Sequence, residues 1–204
     1  MQANEKYGQL ASVDSVKKTM ESLAKNWIHS FLVDNRKEAK EKILEFIPKF
    51  SEIMTMTSTT LMEAEIDETL NESYEYISVR KKMVDQNISS IEKQRLWAAP
   101  EWAIWSIHAV TEDGNIMIAS ATWSQLSAYA YWALNVIWVV WTQKIVSDIA
   151  EAEKRIHEYS FPLENERALK TYWTWSWINK VLVINKEVIP WRIHIIFVKE
   201  KLGF

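Results

Sequence analysis

The clearest structural pattern in this chain lies at residues 105–141, which read WSIHAVTEDGNIMIASATWSQLSAYAYWALNVIWVVW. Two apolar runs flank residues 111–115, and Asp-Gly between strand-like runs is the strongest short-range signal for a β-hairpin. A polar loop at 120–125 follows the second run. An amphipathic segment then leads to a valine- and isoleucine-rich strand that ends at Trp141. This order of strand, loop, helix and strand predicts a βαβ unit, in which ligand sites form where the strands end.

Short apolar strands alternate with amphipathic helices on both sides of this stretch. The predicted helices are 12–25, 37–47, 61–70, 84–96, 124–133, 147–159 and 164–172. The predicted strands are 28–33, 53–56, 76–79, 105–110, 115–120, 136–141, 179–185 and 192–199, with a turn at 188–190 closing a second hairpin. Such alternation predicts an α/β fold with a mostly parallel sheet and helices on both faces. We expect one domain over 1–204, with an N-terminal helical arm at 1–26.

Composition excludes several classes of function. The 204 residues carry a net charge of −3, and the longest basic cluster is Arg80-Lys81-Lys82, so nucleic acid is not expected as a partner. The absence of cysteine excludes disulfides, thiolate metal sites and a cysteine nucleophile. The N-terminus lacks an apolar signal segment, and the apolar run at 128–141 is shorter than the ~20 residues of a membrane span. We therefore expect a cytoplasmic protein without a membrane partner, and the composition leaves a homo-oligomer possible.

The hairpin turn holds the first candidate site residues, Thr111, Glu112, Asp113 and Gly114. In one interpretation Glu112 is a nucleophile or general acid/base at a strand end, with an apolar floor that raises its pKa. In the other, Asp113-Gly114 is simply a hairpin turn and Glu112 is a solvated neighbour. The residues alone leave both interpretations open.

Two hydroxyl-rich loops form the second candidate set. One loop contains Ser120, Thr122, Ser124 and Gln125, and the other contains Thr57, Ser58 and Thr59. Each loop precedes a predicted helix, where such side chains either help to bind an anion or cap the helix N-terminus. If the loops face each other across the sheet, they form one ligand-binding site.

Thr142 and Lys144 follow the strand that ends at Trp141 and complete the candidate set. Lys144 is either a ligand for a carboxylate or phosphate, or an ordinary surface lysine. The four histidines, His29, His108, His157 and His194, show no metal-ligand spacing, and no metal site is predicted.

Three motifs together resemble the LUD domain, the lactate-utilisation family. They are TEDGN at 111–115, SATxSQ at 120–125 and VIWVVxTQKIV at 136–146. The resemblance covers most of the chain and is densest from Ala98 to the C-terminus. It implies a Rossmann-like fold related to the sugar-phosphate isomerases and CoA transferases.

The resemblance also implies a function in lactate oxidation, often beside iron–sulfur partner proteins. In CoA transferases the glutamate of a Ser-Glu-Asn-Gly turn is the nucleophile, and Thr111-Glu112-Asp113-Gly114 is similar in spacing. We therefore expect a small carboxylate or anionic cofactor at the loops of Glu112 and 120–125, with Glu112 as the catalytic candidate. The identity of a cofactor stays unknown. The alternative is a non-catalytic accessory or assembly protein, in which Glu112→Gln would change little.

The chain departs from the family pattern in its glycines. It has 3 glycines and 12 tryptophans, whereas average usage predicts about 14 glycines. Aromatic residues occupy positions where the family pattern has glycine: Trp27, Phe50, Tyr74, Trp97, Trp105, Trp123, Trp132, Trp141, Trp173, Trp175, Trp177 and Trp191. We infer an altered family member in which most glycines are replaced, or an engineered sequence without function.

These replacements carry an energetic cost. Positive φ at a non-glycine residue costs ~1–2 kcal/mol, and overpacking a core costs typically ~1–3 kcal/mol. Ten such sites approach the ~5–15 kcal/mol that keeps a domain folded. The sequence therefore predicts an impaired protein, with Trp123 the most harmful replacement because backbone should approach the ligand there.

Overall fold

Ten strands form two sheets in the computed structural model, which describes residues 2–122, 124–201 and 203–204. The strands are β1 (His29–Val33), β2 (Glu52–Thr55), β3 (Ile77–Ser78), β4 (Trp102–Trp105), β5 (Ala109–Thr111), β6 (Ile116–Ser120), β7 (Asn135–Trp141), β8 (Ile145–Val146), β9 (Lys180–Ile184) and β10 (Ile193–Val198). The α-helices are α1 (Val13–Lys25), α2 (Arg36–Phe46), α3 (Thr59–Glu63), α4 (Ile66–Glu72), α5 (Val79–Met83), α6 (Ser90–Ala98), α7 (Ile149–Arg155) and α8 (Phe161–Tyr172).

The larger sheet is entirely parallel and has the strand order β1-β10-β7-β4-β2-β3. Its central strand β7 is an almost continuous apolar run because both of its faces are buried. The expectation of an α/β fold built on a mostly parallel sheet is confirmed. The closer relation to sugar-phosphate isomerases and CoA transferases stays a prediction.

Alternate side chains of β7 enter two hydrophobic cores on opposite faces of this sheet. Val136, Trp138 and Val140 pack on one face with α1 and the β5–β6 hairpin. Ile137, Val139 and Trp141 pack on the other face with α2, α3 and α4. The predicted N-terminal arm, residues 1–26, contains α1, and Val16 and Leu23 of this helix belong to the first core.

A second, mixed sheet has the strand order β8-β5-β6-β9 and was not predicted. The Asp113-Gly114 turn does join an antiparallel hairpin, β5–β6, with Gly114 at φ +86°. However, the predicted strand 105–110 divides: β4 ends at Trp105 in the large sheet, and β5 begins at Ala109 in the small one. β6 and β7 therefore lie in different sheets, and the predicted βαβ unit is wrong. In sequence, the β5–β6 hairpin lies between β4 and β7, and these two strands pair directly with each other in the larger sheet.

The second predicted hairpin, 179–185 with 192–199, is also wrong. β9 pairs antiparallel with β6, whereas β10 lies parallel between β1 and β7. The burial of the two strands explains the difference. β9 alternates between exposed and partly buried residues, as suits a surface sheet, while β10 is buried along most of its length.

Several predicted helices are shorter or interrupted. The helix predicted at 61–70 divides into α3 and α4 at Glu65, which adopts φ 53°. The helix predicted at 84–96 begins later, as α6 at Ser90, and ends at Ala98, while α5 ends at Met83 before the predicted start. The helix predicted at 124–133 contains a π-helical turn at Ala128–Trp132, and the one predicted at 147–159 changes from α7 to a π-helical turn at Ile156–Ser160. Among the described residues, no helix has the length and apolarity needed to cross a membrane.

Left-handed backbone is concentrated at the aromatic-for-glycine positions. Trp27, Phe50, Trp173 and Trp191 have φ between 55° and 66°, and Glu65 is the other non-glycine residue with positive φ among those described. Trp27 and Trp173 follow the ends of α1 and α8, where helices commonly place a left-handed glycine. The backbone thus requires glycine-like geometry at four of the twelve positions that the sequence singled out.

Candidate functional site

The candidate site lies where the connections from two adjacent parallel strands leave the sheet on opposite faces. β2 continues into α3 on one face, and β4 continues into the β5–β6 hairpin on the other. In open α/β sheets, ligands bind outside the carboxyl ends of strands at such a point. A cavity of about 470 Å³ opens there.

The cavity brings together most of the hydroxyl-rich residues predicted from sequence. Its lining comes from residues 56–60, 105–108, 119–122, 124–125 and 176–178, and from single residues that include Lys144. The predicted ligand-binding residues in this lining are Thr57, Ser58, Thr59, Ser120, Thr122, Ser124, Gln125 and Lys144. The two loops therefore do face each other. Trp123, whose indole was expected to obstruct the ligand, lies outside the described residues.

Hydrogen bonds between residues close in sequence connect the described part of the 120–125 loop. The Ser120 and Ser124 hydroxyls donate to Oε1 of Gln125 at 3.2 and 3.1 Å. Oγ1 of Thr122 accepts from the Ser124 backbone N–H at 3.3 Å and its hydroxyl donates to Ser124 Oγ at 3.0 Å. In the opposite loop, Ser58 Oγ accepts from the Leu61 N–H and caps α3. The capping interpretation thus holds for Ser58.

Lys144 is buried rather than at the surface. It ends the 3₁₀ turn Thr142–Lys144 that follows β7, and only 2% of its surface is exposed. Its ammonium nitrogen donates to Ser106 Oγ at 3.0 Å and to the Ile107 carbonyl at 2.9 Å. Both acceptors are neutral, and the Glu63 carboxylate is the negative charge that raises the pKa of Lys144. Burial nevertheless lowers the pKa of Lys144 well below its ordinary value, and the nearby Arg155 charge lowers it further.

Arg155 lies behind the cavity wall and joins three of its segments. Its guanidinium donates to the carbonyls of Gln143 and His108 and to the Ser160 hydroxyl. Nη2 of Arg155 is buried and has no hydrogen-bond partner among the described residues. Burial lowers the pKa of Arg155 to about 10, so the guanidinium stays positive at neutral pH.

His108 lines the cavity beside these two cations as a neutral imidazole. Its Nδ1 accepts a hydrogen bond from the Ala119 N–H at 3.2 Å. Desolvation lowers the pKa of His108 to about 3, and the positive charges of Lys144 and Arg155 act in the same direction. His108 is consequently not a source of protons at neutral pH.

Sequence reasoning missed several residues of the cavity wall: Ser106, His108, Ser160, Glu164, Arg167, Tyr172 and Ser176. Ser106 and His108 were missed because the end of β4 at Trp105 was not recognised. Glu164 and Arg167 form a bidentate pair, with both N–O distances at 2.7 Å, on one face of α8. Their spacing of three residues on a helix predicts the ion pair, but it does not indicate that the pair lies at a cavity.

The hairpin turn does not reach the cavity. Thr111, Glu112, Asp113 and Gly114 are absent from its lining, as is the buried Thr142. The Glu112 carboxylate instead faces α1, where it accepts from the Ser15 hydroxyl at 2.7 Å and pairs with Lys18 at 2.8 Å. Glu112 and the 120–125 loop therefore do not form the single site that was expected.

The electrostatics of Glu112 also differ from the expectation. The Lys18 and Ser15 hydrogen bonds lower its pKa, so the predicted increase by an apolar floor is wrong. The Asn26 side chain donates to the Gly114 carbonyl at 3.2 Å and fastens the turn to the end of α1. In this setting Glu112 connects the hairpin to α1.

The described residues contain no group of three or more His, Asp or Glu side chains arranged to hold a metal ion. The described lining combines the buried Lys144 with several hydroxyl groups, and Arg155 lies behind it. Such a site favours a small anion that can accept several hydrogen bonds.

Comparison with known proteins agrees with the fold. The chain matches the LUD domain family over residues 16–198. A crystal structure of a DUF162 family protein from Deinococcus radiodurans superimposes with a TM-score of 0.56, at 9% identity, over 93% of this chain and 99% of that one. No functionally curated protein matches the chain. Because the family match spans most of the sequence, this chain belongs to the LUD domain family.

Proposed function

We propose that this protein binds a small carboxylate in the cavity at the carboxyl ends of β2 and β4. The observation that carries this proposal is Lys144, a buried lysine at the cavity wall whose hydrogen-bond acceptors are a hydroxyl and a carbonyl. A buried cation without a carboxylate partner is costly unless a ligand supplies the opposite charge.

Charge around the cavity favours an anion. Arg155 adds a second buried positive charge behind the wall, while Glu164 and Arg167 neutralise each other. The Glu63 carboxylate acts on Lys144 with the opposite sign, but more weakly than Arg155. A bound carboxylate would stabilise the ammonium form of Lys144 and raise its pKa again.

The size and polarity of the cavity favour a small ligand. Its volume of about 470 Å³ lies within the range of small-molecule sites. The hydroxyls of Ser120, Thr122 and Ser124 provide rotatable donors and acceptors for a second polar group beside the carboxylate. The resemblance to lactate-utilisation proteins makes L-lactate and its 2-oxo counterpart, pyruvate, the first ligands to test.

Replacing Lys144 by Met is expected to weaken carboxylate binding by roughly 10–100-fold, since a hydrogen bond to a charged group contributes about 1.5–3 kcal/mol. Methionine occupies a similar volume and removes the cost of burying a charge, so the variant should fold. Isothermal titration of both proteins with sodium lactate and sodium pyruvate measures the change. Equal dissociation constants for the two proteins would exclude Lys144 as the anion ligand.

The variant Glu112→Gln should bind the same ligands with unchanged affinity, because Glu112 lies outside the cavity and pairs with Lys18. Its structural effect should appear on acidification. The folded-state pKa of Glu112 is lowered, so its contribution to stability is present above its ordinary pKa and is lost as the pH falls through the folded value. Thermal melts of both proteins across the acidic range measure this effect. Loss of ligand binding in Glu112→Gln would instead show that Glu112 contributes to the ligand site.

A further inference from the structure

We infer that the Lys144 amine is a nucleophile that condenses with the carbonyl group of a small 2-oxo acid held in the cavity. This inference rests on the proposed function, because the same cavity must first bind the carboxylate. The ammonium form of Lys144 that attracts the ligand must then give up a proton before its nitrogen can react. It goes further in assigning the site a covalent step and in favouring a 2-oxo acid over a 2-hydroxy acid.

The hydrogen bonds of Lys144 suit a neutral amine. A neutral amine has two N–H groups and one lone pair, and Nζ has two acceptors, Ser106 Oγ and the Ile107 carbonyl. Ser106 is itself fixed, since its hydroxyl donates to the Val139 carbonyl at 2.6 Å. The Ser106 oxygen therefore accepts a hydrogen bond from Lys144 and acts as a positioning residue. The lone pair on the Lys144 nitrogen is then available to attack an electrophile.

The surroundings of Lys144 disfavour the protonated form of its amine. Lys144 is screened from water, and Arg155 contributes a positive charge that disfavours a second one nearby. Glu63 acts in the opposite direction but is the weakest of the three influences. Lysines desolvated in this way, or placed beside another cation, serve as nucleophiles toward carbonyl substrates in other proteins.

The reaction balances without an oxidant or reductant. The Nζ lone pair forms a bond to the carbonyl carbon, and the carbonyl π electrons move to oxygen, which receives a proton. That proton comes from the nitrogen, and the resulting neutral carbinolamine loses its hydroxyl group together with the remaining nitrogen proton as water. The products are an imine and one water molecule, and hydrolysis reverses the reaction. Lactate has a hydroxyl group in place of the carbonyl and cannot undergo this step.

The experiment is reductive trapping on the full chain. Protein incubated with pyruvate and sodium cyanoborohydride is expected to gain the mass of pyruvic acid less one oxygen atom, and peptide mapping should place the adduct on Lys144. Lys144→Arg should abolish the adduct. Lys180→Arg is the matched control, because Lys180 is an exposed lysine that contacts the cavity loop at Thr122, and this variant should keep the adduct.

Titration with lactate and pyruvate separates this inference from the proposed function. If both ligands bind but pyruvate leaves no adduct on Lys144, the assignment of Lys144 as a nucleophile is wrong, whereas the proposal of carboxylate binding stands. Labelling spread over surface lysines, equal to that of urea-unfolded protein, would also overturn the inference. If neither ligand binds, both the inference and the proposed function are wrong.

Discussion

Replacing Trp27, Phe50, Trp173 and Trp191 together by glycine is expected to raise the free energy of unfolding by about 4–8 kcal/mol. Each residue adopts a left-handed backbone conformation, which costs a non-glycine residue roughly 1–2 kcal/mol. Glycine adopts this conformation without that steric cost. The melting temperature of a domain of this size shifts by about 2–4 °C for each kcal/mol of stability. The fourfold variant should therefore melt roughly 8–32 °C higher.

The four positions are not all independent. The Trp191 N–H donates to the Trp27 carbonyl at 2.9 Å, so these two replacements should be measured singly and as a pair. Urea unfolding of the original chain, the single variants and the fourfold variant gives the changes. A fourfold variant no more stable than the original chain would contradict the strain argument.

Trp175 and Trp177 provide the matched control. They belong to the same set of aromatic-for-glycine positions and are exposed, but their φ angles are not positive. Glycine at these two positions should give no gain, because a glycine relieves no strain there and costs chain entropy on folding. A gain as large as that of the fourfold variant would show that exposed tryptophan, rather than backbone strain, is the cause.

The remaining aromatic positions have different consequences. Trp141 is fully buried and its indole N–H donates to Thr60 Oγ1 at 3.0 Å, so glycine there would leave a void in this packing. Trp97 and Trp105 line the cavity, and glycine at these positions would enlarge it. Restoration of all twelve glycines therefore combines relief of strain, loss of packing and a change in the ligand site.

Replacing Arg192 by Met is expected to lower the free energy of unfolding by about 3–5 kcal/mol, the typical cost of breaking a buried ion pair from one side. Arg192 and Glu187 are paired at 2.6 Å with side chains only 2% and 5% exposed. The guanidinium also donates to the carbonyls of Tyr129 and Ala133, which belong to the π-helical turn and its end. The variant would leave Glu187 charged, buried and unpaired.

The double variant Arg192→Met with Glu187→Gln should recover part of the loss, because no isolated charge then stays buried. Lys170→Met supplies a surface control, since Lys170 and Glu166 form an exposed pair one helical turn apart. Urea unfolding should show a large loss for Arg192→Met and almost none for Lys170→Met. Equal midpoints for the two single variants would contradict a structural role for the buried pair.

Much of the candidate site was accessible from sequence because its chemistry is local. Thr57, Ser120 and Ser124 were recognised as hydroxyl groups in loops that follow apolar strands, and the cavity lies where these strands end. Glu112 was a candidate for the same local reason, yet it lies at the opposite end of the β5–β6 hairpin from Ser120. The two strands belong to the same sheet but run antiparallel, so the turn after β5 and the loop after β6 point away from each other.

The sequence by itself determined the α/β class, the apolar central strand β7, the Asp113–Gly114 hairpin and membership of the LUD domain family. These properties follow from short-range periodicity, turn chemistry and motif spacing, which do not depend on distant partners. It also singled out Trp27, Phe50, Trp173 and Trp191, where the backbone is left-handed, although it missed Glu65 and included positions such as Trp175 without positive φ.

Only the tertiary structure decided that the strands separate into two sheets, that Lys144 is buried while Glu112 pairs with α1, and that Arg155 supports the cavity from behind. Each of these depends on contacts between residues far apart in sequence, such as Lys18 with Glu112 or Arg155 with His108. Burial and charge pairing set the pKa of each group, and both are properties of the assembled fold. The chemistry of the site therefore depends on which side chains the packing removes from water.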